Sequence, residues 1–147
     1  KAATQAASEI AERTGFATHD IALVMGSGWV TAIDALGEPV YECNAEELTG
    51  FLPPAVEGHS GKVRSYEVKD GDKTVRALVF LGRTHLYEGK GMEPVVHGVR
   101  TAVKAGCKVI LLTNACGVTC CAASLQALSG SICVSIIKPS KFKSRAV

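Results

Sequence analysis

The chain has 147 residues, of which 47% are hydrophobic and 20% charged, so it can bury one core but has little room for a second domain. Sixteen basic and fourteen acidic residues give a net charge of +2, a balance that argues against a nucleic-acid-binding protein. The apolar runs are too short to span a bilayer, and the N-terminal segment lacks the apolar core of a signal peptide. We therefore expect a cytoplasmic protein that binds neither nucleic acid nor a membrane.

The six cysteines would permit a disulfide framework in a small secreted chain. Because no export signal is evident and the core is large, we expect reduced thiols instead. A zinc site built from Cys116, Cys120, Cys121 and Cys133 lacks a paired C-x-x-C spacing. Small buried side chains are therefore the favoured interpretation of these cysteines.

Helix and strand signals alternate from the N-terminus onward. Small and apolar residues at helical spacing predict a helix over Ala2–Thr14 that stops at Gly15. The apolar run Ile21–Met25 predicts a buried strand, and a second helix is predicted over Trp29–Leu36. The stretch from Tyr41 to Gly61 is typical of an irregular loop because of its prolines and glycines.

A hairpin, a helix and another strand follow. The runs Val63–Val68 and Thr74–Leu81 flank an Asp-Gly-Asp turn and predict a β-hairpin. The next helix has Pro94 in its first turn and ends at Gly106, and Lys108–Thr113 predicts a buried strand. Strand, crossover helix and strand imply a parallel β-α-β unit. The predicted fold class is α/β, with a mixed or largely parallel sheet flanked by helices.

Loops that follow the strands are where open α/β sheets collect their ligands. In Gly26-Ser27-Gly28 the glycines let the backbone approach a ligand, and Ser27 offers a hydroxyl, although a plain turn is the alternative. In Asn114-Ala115-Cys116-Gly117 the small residues expose backbone N–H groups that suit an anion. Cys116 has no activating partner that the sequence identifies, so a packed side chain is favoured over a nucleophile.

The segment Gly82–Gly89 carries the richest set of polar groups. Arg83 supplies a planar fork of donors for phosphate oxygens, and His85 adds another donor two residues along. Glu88 is placed to hold His85 in one tautomer, and Tyr87 offers a flat face and a hydroxyl. The alternative interpretation is a solvated polar loop.

The other histidines differ in their surroundings. His59 lies between glycines and is a candidate for the same site, whereas His97 falls beside the apolar face of a predicted helix and His19 is expected on a surface loop. The serine turn, the Arg/His loop and the backbone donors together predict an oxyanion pocket. A group transfer to or from phosphate fits this set best, and nothing in it resembles a metal site.

Four segments, in this order, resemble the trimeric purine nucleoside phosphorylases. They are Val24-Met25-Gly26-Ser27-Gly28, Gly58-His59-Ser60-Gly61, Gly82-Arg83-Thr84-His85-Leu86-Tyr87-Glu88-Gly89 and Leu112-Thr113-Asn114-Ala115-Cys116-Gly117. The resemblance spans about residues 8–117, so residues 1–117 are interpreted as the N-terminal part of a nucleoside phosphorylase-like α/β domain. It implies a homotrimer that cleaves the N-glycosidic bond of purine nucleosides with inorganic phosphate as co-substrate and no cofactor, giving free base and ribose 1-phosphate.

The resemblance also implies roles for single residues. Phosphate would be held by Ser27, His59, Arg83, His85 and the backbone of Ala115. Tyr87 would lie against the ribose, and Glu88 would orient His85, which makes His85 and Glu88 the expected catalytic pair. The residues that read the base in this family fall in a part that the chain does not match, so base-binding residues stay unassigned.

From Val118 onward the sequence matches nothing in this family, and no Asp or Glu occurs from Pro94 to the end. We interpret residues 118–147 as a divergent tail that comes from a frame shift, an alternative exon or a truncated gene model. The functional hypotheses are a purine nucleoside phosphorylase, a phosphate-binding fragment without turnover, and a phosphorylase of another nucleoside such as methylthioadenosine. The run Tyr87-Glu88-Gly89 favours the purine branch.

Overall fold

The computed structural model describes residues 1–26, 29–53, 61–115 and 132–137. Within these ranges the α-helices are α1 (Ala2–Thr14) and α2 (Met92–Lys104). The strands are β1 (Ile21–Met25), β2 (Tyr41–Asn44), β3 (Lys62–Asp70), β4 (Lys73–Leu81), β5 (Val109–Ala115) and β6 (Ile132–Ile137). Short 3₁₀-helices cover Val30–Leu36, Ala45–Glu47 and Leu86–Glu88.

The strands form one six-stranded sheet in the order β2-β3-β4-β1-β5-β6. β1 lies inside the sheet and runs parallel to β4 on one side and to β5 on the other. The pairs β2–β3, β3–β4 and β5–β6 are antiparallel. The sheet is therefore mixed, which confirms the predicted α/β fold class, and the carboxyl ends of β4, β1 and β5 meet at one edge.

The two predicted helices, one at the N-terminus and one around Pro94, are confirmed, and so is the hairpin between them. α1 covers the predicted range and ends at Gly15, whose φ of 73° lies in the left-handed region that glycine commonly adopts at the C-terminus of a helix. α2 carries Pro94 in its first turn, where backbone N–H groups have no hydrogen-bond partner within the helix, so proline is tolerated. β3 and β4 turn at Gly71, with a φ of 58°. No helix in the described ranges is long and apolar enough to cross a membrane.

Two predicted segments differ from the structure. The helix predicted over Trp29–Leu36 is a 3₁₀-helix over Val30–Leu36. The loop predicted from Tyr41 instead begins with strand β2, which pairs with β3 and buries Cys43. Four residues are too few for an alternating pattern to stand out, so the pairing with β3 decides the structure of this segment.

The sheet buries apolar side chains on both faces. On one face α1 and α2 pack over β1, β4 and β5, in a cluster that includes Ile10, Val24, Phe80 and Ile110. On the other face the 3₁₀-helix around Ile33 covers a smaller cluster. Each fully buried aliphatic side chain contributes about 1.5–3 kcal/mol relative to exposure. This two-sided burial holds the three parallel strands in place.

The cysteines within the described residues behave as core side chains. Cys43 and Cys107 are both buried and free. Burial raises the pKa of the Cys107 thiol to about 12, and the negative charge of Asp20 acts in the same direction. Such a thiol stays protonated and unreactive at neutral pH. The structure does not describe the side chains of Cys116, Cys120, Cys121 and Cys133. The interpretation of these cysteines therefore stays a prediction.

The prediction that His19 lies on a surface loop is wrong. Its side chain is only 2% exposed, and its Nε2 lies 2.8 Å from the hydroxyl oxygen of Ser65, which is also buried. The backbone N–H of His19 donates to the carbonyl of Ala105, which fixes the segment between α1 and β1 against the end of α2. The ring also meets Phe16 edge-on. Ser65 and Ala105 are distant from His19 in sequence, so local patterns do not reveal this burial.

We predict that His19 makes stability fall in mild acid. Burial lowers the pKa of His19 below its usual 6.5, and the nearby positive charge of Arg76 lowers it further. Below that pH the unfolded chain binds a proton that the folded chain resists, so the free energy of unfolding decreases as pH falls. Urea unfolding from about pH 7.5 to about pH 5.5 measures this slope. The variant His19→Gln, which does not titrate, should flatten it; equal slopes in both proteins would contradict the prediction.

Candidate functional site

The candidate site lies where β4, β1 and β5 end. β1 leads into Gly26, which is buried, and β4 leads into Gly82, whose φ of 118° allows the chain to turn across the sheet edge. Thr113 of β5 lies beside the end of β1, because Leu112 is paired with Val24 one position earlier. The ends of three strands that are far apart in sequence are therefore brought together at this edge.

Arg83 is anchored at this edge by the backbone of β5. Its Nη1 donates to the carbonyl oxygen of Thr113 over 2.7 Å, and the side chain is partly buried. A guanidinium has five N–H donors in a planar fork, so this bond leaves further donors for a ligand. The anchored guanidinium is thus oriented before any ligand arrives.

His85 and Glu88 form a tight turn of their own. The Glu88 Oε1 accepts the backbone N–H of His85 at 2.7 Å and lies 3.3 Å from His85 Nδ1. In return the backbone N–H of Glu88 donates to the carbonyl of His85, and Gly89 closes the turn with a φ of 71°. Because Nδ1 faces the carboxylate, Nε2 is the nitrogen that remains for a ligand.

The carboxyl group of Glu88 is kept ionised by its neighbours. The backbone N–H of His85 is the main cause that lowers its pKa, and the side chains of His85 and Lys90 lower it further. Lys90 Nζ lies 3.5 Å from Glu88 Oε2. The negative charge is thus matched by donors within its own loop.

Tyr87 extends the turn toward solvent. Its ring stacks on that of His85, with centroids 4.9 Å apart and an angle of 14° between the planes. The side chain is 82% exposed, so one face of the ring contacts His85 and the other is open to a ligand. The stack also restricts the rotation of the His85 ring.

A cavity of about 150 Å³ opens beside these residues. Arg83, His85, Tyr87 and Glu88 are among the residues that line it. Its apolar lining comes in part from β1, β5, α2 and the segment after β2, with side chains that include Val24, Phe51, Val95, Val99 and Leu112. Lys62 also lines the cavity, but its ammonium group is paired with Glu42. A lining that combines a few polar donors with many apolar side chains suits a small ligand with one charged end.

Thr113 is a polar residue of this edge that sequence analysis missed. It is 1% exposed, and its hydroxyl oxygen accepts the backbone N–H of Gly26 at 2.9 Å. The same hydroxyl faces the carbonyl of Val24 at 3.4 Å. The sequence signal is a hydroxyl residue at the end of an otherwise apolar run. This signal does not identify the distant residue with which the hydroxyl forms a hydrogen bond.

Comparison with known proteins gives close matches over most of the chain. A purine nucleoside phosphorylase of Cellulomonas sp is 53% identical over 116 residues, and one of Mycobacterium tuberculosis is 46% identical over 115 residues. The matched part of the chain belongs to the purine nucleoside phosphorylase family. Each match covers 78% of this chain but only 41% of the relative, so the chain spans well under half of their length. No model of a protein family matches the sequence.

Solved phosphorylase structures share the fold. Isoform 2 of the purine nucleoside phosphorylase from Schistosoma mansoni, in complex with cytosine and ribose-1-phosphate, superposes with a TM-score of 0.62 at 24% identity. That match covers 78% of this chain and 38% of the other. A second purine nucleoside phosphorylase, in complex with ribose-1-phosphate, gives a TM-score of 0.61. At this level of identity the likeness supports the phosphorylase fold and nothing finer.

The predicted site residues divide into those that the structure brings together and those that it does not describe. Arg83, His85, Tyr87 and Glu88 line one cavity of this phosphorylase-like unit. Ser27 and His59 lie outside the described residues, and Ala115 is described only as the last residue of β5. The ligand contacts inferred for all of these stay predictions, as does the interpretation of residues 118–147 as a divergent tail.

His97, which sequence analysis places beside the apolar face of a helix, is a packed residue. It is 8% exposed, and its Nε2 lies 2.9 Å from the carbonyl oxygen of Thr49. Its ring meets Phe51 edge-on at 4.6 Å between centroids. His97 thus supports Phe51, whose ring forms part of the apolar cavity wall.

We predict that removing the Glu88 carboxylate loosens the turn at His85. In Glu88→Ala the backbone N–H of His85 loses its acceptor, so its hydrogen exchange should become at least about ten-fold faster, because bonds to charged acceptors are the stronger class. Glu88→Gln keeps an acceptor oxygen and should show a smaller effect. Amide exchange followed by NMR measures both, with the Ala105 amide in the helix end as an internal control. Unchanged exchange at His85 in Glu88→Ala would contradict this assignment.

Proposed function

We propose that the cavity binds inorganic phosphate, with Arg83 and His85 as its main side-chain donors. The single observation that carries this proposal is the anchored guanidinium of Arg83, which lines the same cavity as His85 and has donors besides the one that binds Thr113. Arg forks match the geometry of phosphate oxygens, and His85 Nε2 supplies a separate donor when it is protonated. Ser27, His59 and the backbone N–H of Ala115 complete the proposed set of phosphate ligands.

The proposed reaction is the phosphorolysis of purine nucleosides. A phosphate oxygen attacks C1′ of the ribose, the N-glycosidic bond breaks, and the products are the free base and ribose 1-phosphate. Phosphate is both anion and nucleophile, so the reaction needs no further cofactor. A positively charged, oxocarbenium-like transition state is stabilised by a correctly placed anion, which makes positioning and electrostatics the main contributions of the protein.

Tyr87 and Glu88 have supporting parts in this proposal. The exposed face of Tyr87 lies beside the cavity and would pack against the ribose. Glu88 contacts both the backbone N–H and Nδ1 of His85, so it would hold the ring with Nδ1 toward the carboxylate and Nε2 toward phosphate. Glu88 therefore acts through His85 rather than on the substrate.

A phosphate-binding unit without turnover is the second candidate. It is favoured by the described residues of the cavity, which include donors for phosphate but none that is assigned to the base. Phosphate recognition needs only the residues around the sheet edge, whereas turnover also needs groups that hold the base. Phosphorylases of other nucleosides, such as methylthioadenosine, are less well supported, because the reported relatives carry the purine nucleoside name.

The decisive assay is release of hypoxanthine from inosine by the 147-residue chain, with and without inorganic phosphate. Release that depends on phosphate would support the phosphorylase. Phosphate binding without release, in a sample shown to be folded by circular dichroism, would support the second candidate. Absence of both binding and release would contradict the proposed function.

We predict that Arg83→Met weakens phosphate binding about 10- to 100-fold, the range expected when one charge-assisted hydrogen bond is lost. Isothermal titration calorimetry with inorganic phosphate measures this change. Arg100→Met is the matched control, because Arg100 is exposed on α2 and does not line the cavity. Equal phosphate affinity in Arg83→Met and Arg100→Met would contradict the role of Arg83.

A further inference from the structure

Thr113 of β5 forms hydrogen bonds with residues that follow two other strands, β1 and β4. Its hydroxyl oxygen accepts the backbone N–H of Gly26 at the end of β1, and its carbonyl oxygen accepts Nη1 of Arg83 in the loop after β4. Thr113 itself belongs to β5 and is 1% exposed. One residue thus contacts both the residue that follows β1 and the arginine that follows β4.

We propose that Thr113 is a positioning residue for the phosphate subsite: it holds the backbone at Gly26 and the guanidinium of Arg83 in the geometry that receives the anion. This inference rests on the proposed phosphate-binding function. Thr113 is not among the residues that line the cavity, so it acts through Gly26 and Arg83 rather than on phosphate itself. Ser27, a proposed phosphate ligand, follows Gly26 directly in the sequence.

The hydroxyl is the part of Thr113 that a substitution can test. Gly26 is buried, so its N–H has no compensating bond to water if the hydroxyl oxygen is removed. An unsatisfied buried N–H is unfavourable, and the backbone at the exit of β1 is expected to shift toward another acceptor. That shift would displace Ser27, the next residue in the sequence and a proposed phosphate ligand. The bond from Arg83 to the backbone carbonyl of Thr113 would stay intact.

Burial alone does not explain this arrangement. Thr101 of α2 is fully buried, yet its hydroxyl oxygen has no hydrogen-bond partner among the described residues. Thr113 and Thr101 therefore form a natural comparison of the same residue type at the same burial. The Thr113 hydroxyl binds the backbone at the end of β1, whereas the Thr101 hydroxyl is buried on α2 without such a partner among the described residues.

The experiment compares Thr113→Val, Thr113→Ser and Thr101→Val with the original chain. Binding of inorganic phosphate is measured by calorimetry, and hydrogen exchange of the Gly26 amide is measured by NMR on the same samples. Thr113→Val should raise the dissociation constant for phosphate about ten-fold or more, because a buried donor loses its acceptor. Thr113→Ser retains the hydroxyl and should stay within about three-fold, and Thr101→Val should leave phosphate affinity unchanged.

A second measurement separates positioning from general stability. Where inosine is turned over, Thr113→Val should raise the KM for phosphate and leave the KM for inosine unchanged. The Gly26 amide should be protected in the original chain and in Thr113→Ser, and should exchange freely in Thr113→Val. If Thr113→Val fails to fold, the test uses Thr113→Ser. Gly26 protection and phosphate affinity close to those of the original chain support the positioning role, and loss of either contradicts it.

The outcomes distinguish this inference from the proposed function. Unchanged phosphate affinity in folded Thr113→Val would overturn the positioning role while phosphate binding itself stands. A Gly26 amide that exchanges freely in the original chain would overturn it as well. An original chain that binds no phosphate would overturn the proposed function and, with it, a role in phosphate positioning, while protection of Gly26 would still establish the hydrogen bond.

Discussion

The parallel alignment of β4, β1 and β5 is the constraint on which the candidate site depends. Parallel strands end at the same edge, so residues from distant parts of the chain, such as Gly26, Gly82 and Thr113, lie close together there. The alignment is held by apolar burial on both faces of the sheet, with α1 and α2 on one side and the segment around Ile33 on the other. The chemistry of the site thus depends on core packing several residues away from it.

Local signals were enough to predict the framework. Gly15 and Pro94 mark a helix end and a helix start through their own backbone properties, and the apolar run Ile21–Met25 defines a strand that needs burial on both faces. The short strand β2 carries no such signal, because its four residues gain their structure from pairing with β3. Residues whose conformation is set by near neighbours were predictable, and those set by pairing were not.

The candidate site shows the same division. The pair His85 and Glu88 could be predicted because the two residues contact each other within one turn. Thr113 could not, since its partner Gly26 lies 87 positions away. His19 was assigned to the surface for the same reason: its partner Ser65 is 46 positions away, and only the folded chain brings the two together. Long-range hydrogen bonds of buried polar residues are thus the part that sequence patterns miss.

A carboxylate beside a proposed anion site needs an explanation, because two negative charges at short range repel each other. Glu88 is kept ionised, yet its oxygens are directed at the His85 backbone N–H, at His85 Nδ1 and at the Lys90 ammonium. Its charge is therefore largely balanced within the turn from His85 to Lys90. Arg83 is bound to a neutral carbonyl instead, so its positive charge stays uncompensated by that contact. This asymmetry supports the proposal that an anion binds beside Arg83 and His85, because the charge of Glu88 is already engaged by His85 and Lys90.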